Sequence, residues 1–241
     1  MVNQIDPRIA LGRQGTMDRA DIDVGLRKYM LGVYNYMASG VLLTGLVAMA
    51  VAMSPALQYL IFGTAFRWVA MFAPLAIVMF FSFRVQHMSV TAVKAVFWVF
   101  AASMGLSLGS IFLVYTGASI AKTFFITAAT FGALSLYGYT TKKDLSGWGT
   151  FLFMGLIGLI LASIVNIFTQ SAAFDFVISA VGVLLFAGLT AYDTQKIKEM
   201  YFAGDSYEVA AKKSVSGALS LYLDFINLFL FLLRFMGANR D

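Results

Sequence analysis

The chain has 241 residues, 60% of them hydrophobic and only 12% charged, with a mean hydropathy of +0.82 and a formal net charge of +5. This balance lies far outside the soluble globular range and defines an integral membrane protein. The hydrophobicity falls in long blocks rather than short alternating stretches, which excludes a β-barrel, and the absence of cysteine excludes disulfides, thiolate metal sites and cysteine nucleophiles.

Residues 1–26 scatter Asp6, Arg8, Arg13, Asp18, Arg19, Asp21 and Asp23 and contain no apolar signal-peptide core. They read as a polar, mobile cytoplasmic tail. Residues 27–241 then form one all-α transmembrane domain, with seven spans predicted near 29–53, 68–83, 90–115, 120–141, 150–169, 174–194 and 215–236. The second is the shortest, about 24 Å at roughly 1.5 Å per residue, with Pro74 inside. The preceding stretch, Leu57 to Phe66, either begins that span or lies at the interface with Phe66 and Trp68 as belt aromatics. Only the joint from Lys196 to Ser214 is long, so there is no room for a soluble catalytic module.

Of the 17 basic residues, 13 fall on one side if the amino terminus is cytoplasmic; Arg67, Lys122, Arg234 and Arg240 fall on the other. The positive-inside rule therefore predicts a cytoplasmic amino terminus and, after seven spans, an external carboxyl terminus. Basic loops of this kind orient a protein in its lipid bilayer and give no reason to expect nucleic acid as a partner.

Two carboxylates stand out. Asp193 closes the sixth span and Asp224 lies inside the seventh, where a charge is expensive and marks an ion path, a proton relay or a partnered switch. On span seven Gly217, Ser220, Asp224 and Asn227 recur at helical spacing, and span six carries a weaker stripe of Ser179, Gly182, Phe186, Thr190 and Asp193. Ser220, Asn227 and Thr190 are thus candidate pathway-lining residues. Helix packing is the competing explanation, and the better one for Ser103, Ser107 and Ser110 and for Thr123, Thr127 and Thr130. Arg84 ends span two at the same cytoplasmic depth, where it serves either the carboxylates or the lipid headgroups. His87, the single histidine, reads as a loop residue, and Asp175 and Asn166 sit at outer span ends. No nucleophilic triad, metalloprotease helix or phosphate loop is present, so an enzyme is not expected and no cofactor is implied.

Two stretches carry a resemblance: Ala191-Tyr192-Asp193-Thr194-Gln195-Lys196-Ile197, and Ala218 through Phe229 with its Leu221-Tyr222-Leu223-Asp224-Phe225-Ile226-Asn227 core. They resemble the ends of spans six and seven in the bacterial branch of the Bax inhibitor-1 (TMBIM) family, as do Lys142-Lys143-Asp144-Leu145-Ser146 and Asn166-Ile167-Phe168. The resemblance implies seven helices with the last at the centre, in a bacterial inner membrane. It also implies a pH-responsive calcium leak whose latch is the pair Asp193 and Asp224, engaged by Arg84. This chain has one arginine in Phe83-Arg84-Val85-Gln86-His87, where some members carry several, and no acidic residue from Ala73 to Phe83.

The expected function is a pH-sensitive leak for calcium or another cation, since carboxylates suit a hard cation and a close pair titrates as a unit. Acidification should weaken the hold on Arg84 and raise flux. The alternatives are a non-conducting regulator that binds a membrane protease or other membrane proteins, and a proton-coupled transporter. Oligomeric state is not legible.

Overall fold

A computed structural model describes the backbone of residues 7–240 and the side chains of residues 24–240. The polar stretch is continuous with the first span: helix α1 runs from Pro7 to Met53, with Val24–Met53 apolar enough to cross a membrane. Ser54 caps a short helix, α2 (Pro55–Gln58), whose first position takes Pro55 because no N–H is needed there. A π-helical turn, Tyr59–Gly63, follows, and the chain extends at Thr64 before α3 (Phe66–Arg84). The segment before Phe66 is therefore a separate helical turn, anchored by Ile61 against Val51 and Ala70, and not the start of span two.

The remaining spans are α4 (Val90–Leu108) with a short continuation α5 (Ile111–Val114), α6 (Gly117–Thr140), α7 (Trp148–Thr169), α8 (Ala172–Glu199) and α9 (Tyr207–Met236). Seven helices are thus long and apolar enough to span a membrane.

Both carboxylate-bearing helices are longer than predicted, and at the same end of the bundle. The sixth does not stop at 194: Gln195 and Ile197 are 6% and 3% exposed and hold a further turn against its neighbours. The seventh starts at Tyr207, not 215, because the Ser206 hydroxyl accepts from the Val209 amide at 3.3 Å and Lys212 pairs with Glu208 at 2.8 Å. The long joint expected from Lys196 to Ser214 shrinks to 200–206. Hydropathy misses these turns because each wears charge on its outer face.

Helix α9 is the centre of the bundle, packing against α8, α1, α6 and α4. In its apolar window 67% of residues are buried, whereas no other span exceeds 28%. Its Tyr222 is fully buried between the edges of Phe97 and Phe100, and its hydroxyl meets Thr44 at 2.6 Å while Thr44 donates to the Ala101 carbonyl at 2.8 Å. One hydrogen-bonded chain thereby ties α1, α4 and α9. Helices α6 and α8 approach so closely that a Cβ on Gly138 would collide with the Ala191 carbonyl. Helix α7 is the outlier: it packs chiefly on α8, and only 11% of its window is buried.

Candidate functional site: a carboxylate pair beside an intramembrane cavity

Helix α9 presents Ser220, Asp224 and Asn227 on one face, while Gly217 below them gives up its side chain to the packing of Ile197 from α8. Helix α8 brings Asp193 to the same cavity wall as Asp224, so that two carboxyls share one intramembrane surface. Asp224 is 5% exposed, and its Oδ2 is buried with no hydrogen-bond donor to meet it among the described residues. Asp193 is half-buried. A carboxylate only accepts hydrogen bonds, so two carboxyls in contact attract only when one carries a proton and repel when both are ionised.

Because α7 leans on α8 and leaves α9 uncovered, a cavity of about 520 Å³ opens between the three helices. The two carboxyls form its polar wall together with Ser163, Ser220 and Asn227; Leu, Ile and Phe side chains make up the remainder. Toward the lysine-rich end the cation whose charge reaches Asp193 is Lys196, one turn farther along α8, and it lies 5.8 Å over the Tyr192 ring. At the opposite end the same three helices are tied by Asp175, which takes an ion pair from Arg234 of α9 and a hydrogen bond from Asn166 of α7 at 3.3 Å. Asp175 and Asn166 were expected only at span ends; their partner Arg234 is missed because it reads as one more interfacial cation.

A second contributor is also missed. Gln195 donates to the Lys143 carbonyl at 2.8 Å and accepts from the Leu145 amide at 2.7 Å, fixing the α6–α7 joint to α8 two residues after Asp193. Only its register beside Asp193 could have pointed to it.

Three expectations fare differently. Ser220 and Asn227 line the cavity, with Asn227 donating to the Leu223 carbonyl at 2.8 Å. Thr190 does not: it is fully buried, donates to the Phe186 carbonyl at 2.7 Å and accepts no place on the cavity wall, because its hydroxyl satisfies its own helix. Arg84 is not brought to the pair. It ends α3 exposed to the surroundings, α3 packs on α4, and among the described residues it makes no ion pair or hydrogen bond with Asp193 or Asp224. His87 lies exposed in the 3₁₀ turn that follows. Of the serine and threonine stripes, Ser103, Ser110 and Thr127 donate to carbonyls of their own helices or turns.

No group of three or more histidine, aspartate or glutamate side chains that could hold a metal ion converges among the described residues.

These features define a class: an all-α, seven-span integral membrane protein with a carboxylate pair against its central helix. Comparison with known proteins makes the class specific. A family described as "Inhibitor of apoptosis-promoting Bax1" matches residues 26–241. The chain is 50% identical over 219 residues to the inner membrane protein YbhL of Escherichia coli, covering 90% of this chain and 94% of that one. It is 49% identical over 226 residues to an uncharacterized protein of Rickettsia prowazekii, covering 94% and 96% of the two chains. A protein of Deinococcus radiodurans is 40% identical over 234 residues, 97% of each chain. The chain therefore belongs to the Bax inhibitor-1 family, among bacterial membrane proteins.

Proposed function

We propose that this protein is a proton-regulated cation leak of the bacterial inner membrane, with calcium the cargo best suited to its chemistry. The observation that carries the reading is that the Asp193 and Asp224 carboxyls stand together on the wall of the α7–α8–α9 cavity. Hard cations prefer carboxylate oxygen, and the serine and amide groups beside the pair can complete a partly hydrated shell. The charged groups facing the pair are few: Lys196 from α8, and no titratable side chain from α7 on the cavity wall. The reading rests on the pair itself, without Arg84.

The pair has three charge states. With one proton shared, the bond between the carboxyls is charge-assisted and strong, and it draws α8 and α9 together across the cavity floor. A second proton removes the charge that strengthens the bond, and loss of the last proton replaces attraction with repulsion. Flux is lowest where one proton is shared and rises as acid delivers the second.

Purified protein in liposomes tests this with a calcium-sensitive dye across a series of acidic, neutral and alkaline buffers. Wild type should show a flux minimum, with flux rising on acidification below it and on alkalinisation above it. Asp224→Asn keeps a hydrogen bond to Asp193 but cannot ionise, so its flux should lose that response while its melting temperature stays near wild type. A wild-type titration retained in Asp224→Asn would remove the pair from the mechanism. Wild-type liposomes silent at every pH would reject the leak and leave a non-conducting regulator of other membrane proteins.

A further inference from the structure

The largest cavity described in the molecule is not the one that holds the carboxylates. It is a crevice of about 780 Å³ between α1 and α6. Both helices pack on α9 and neither packs substantially on the other, so Phe225 of α9 becomes the floor and the two flanks stay apart. A smaller apolar cavity of about 300 Å³ continues the crevice, sharing Val41, Phe124 and Phe225 with it. The rings of Phe124 and Phe225, 5.6 Å apart and nearly perpendicular, divide the two at mid-depth.

The polar groups of the large crevice are collected at its lysine-rich end. Arg27 and Tyr34 of α1 stand there opposite Ser135 and Tyr139 of α6. The Tyr34 and Ser135 hydroxyls meet at 2.7 Å, and Ser135 meets Thr194 of α8 at 2.9 Å, so this end is rigidly built. Lys198 adds positive charge beside it, donating to the Tyr139 carbonyl at 2.8 Å and lying 5.3 Å over the Tyr139 ring. Beyond these groups the walls are Met, Val, Leu and Phe. From Arg27 to Leu42 the crevice follows α1 for about 22 Å, deeper than the roughly 15 Å of one leaflet's hydrocarbon. An apolar gap of this depth has too few polar partners to hold water, and it faces hydrocarbon on its open side.

We propose that the crevice is a binding site for one anionic phospholipid from the leaflet on the basic side. Its phosphate meets the Arg27 guanidinium, whose planar fork suits phosphate oxygens, and one acyl chain lies between α1 and α6 over Phe225. Charge complementarity selects an anionic headgroup over a zwitterionic one, since Arg27 and Lys198 bring positive charge and, among the described residues, the crevice lining contains no acidic side chain. The inference is independent of whether the carboxylate pair conducts ions.

Native mass spectrometry of the purified protein with phosphatidylglycerol and phosphatidylcholine of identical chains tests it. Wild type should retain one phosphatidylglycerol in preference to phosphatidylcholine, and Arg27→Ala should cut that preference about fivefold, the value of one basic side chain at an anionic surface. Gly132→Leu fills the crevice, because a Cβ at Gly132 meets nothing within 4 Å, and should reduce retention of both lipids. Leu136→Trp, at the rim where Leu136 is 62% exposed, should do the same without touching the packed interior. Equal retention of the two lipids by wild type, or wild-type retention by Leu136→Trp, overturns the proposal.

Discussion

Gln195 shows how a single amide can set the geometry of a charged neighbour. It is 6% exposed, and both ends of its side chain are used, on the Lys143 carbonyl and the Leu145 amide. Gln195→Ala leaves those two backbone groups without partners and should destabilise the protein by about 1–3 kcal/mol, read from unfolding in detergent. Gln195→Glu keeps an acceptor for Leu145 and should fall between alanine and wild type; an alanine variant as stable as wild type would show that water replaces the clamp. The comparison belongs at neutral pH, because the same joint also uses Asp144, whose exposed carboxyl is held below the usual range first by the Ser146 hydroxyl and then by its amide, 2.8 Å away. With a lowered value, that contribution is complete above the ordinary carboxylate range and fades as the pH falls through the lowered one. Asp193 and Asp224 were legible in the sequence because a charge inside an apolar run has few explanations. Gln195 was not, since an amide beside a polar joint looks like any loop residue until the partner carbonyl is seen, and Thr190 misled because a hydroxyl can satisfy its own helix and leave nothing for a pathway.

At the scale of the helices, α6 carries two glycines with opposite jobs. At Gly138 a methyl group would strike the Ala191 backbone, so α6 and α8 meet there only because the side chain is missing, whereas at Gly132 the space is open. Gly138→Ala should therefore cost about 1–3 kcal/mol through overpacking. Gly132→Ala should stabilise by about 0.5–1 kcal/mol through helix propensity alone. Equal effects in detergent unfolding would mean that the helices slide freely past one another. The existence and number of the spans were legible because each is a long apolar run. Their ends were not: the last turn of α8 and the first two of α9 carry charge outward while Ile197, Ser214 and Val215 pack inward, and an average over a window cancels the two. Depth was equally deceptive for Arg84. Shared distance from the membrane surface placed it with the carboxylates, but α3 packs against α4, and nothing in a single sequence states which helices are neighbours.

Taken whole, the molecule has two chemically distinct ends. At one, lysines from α8 and α9 stitch neighbouring elements through carbonyls: Lys198 to Tyr139, Lys212 to Gln86 at 3.3 Å and Lys213 to Met200 at 3.0 Å. At the other, the segment after α9 returns to the end of α4 and α5, where Arg240 donates its amide to the Val114 carbonyl at 2.8 Å and Asn239 bridges Tyr115. Lysines at a cytoplasmic surface resist translocation, so the end with 13 of the 17 basic residues should face the cytoplasm. A reporter inserted after residue 143 or 205 should then read cytoplasmic, and one fused to the carboxyl terminus should read external. The seven crossings make these outcomes interdependent, since an odd number of spans separates the terminal faces. Weakening the bias tests the cause as well as the result: replacing Lys142, Lys143, Lys196, Lys198, Lys212 and Lys213 with glutamine leaves 7 basic residues on that side against 4 and should give a mixed population of reporters, because acidic residues contribute little to orientation. A cytoplasmic carboxyl-terminal reporter in the wild type would mean that one of the seven helices does not cross. The first to question would be α3, which carries Pro74 inside and follows a separate helical turn, and the Asp193–Asp224 pair would then sit at a different depth from both surfaces.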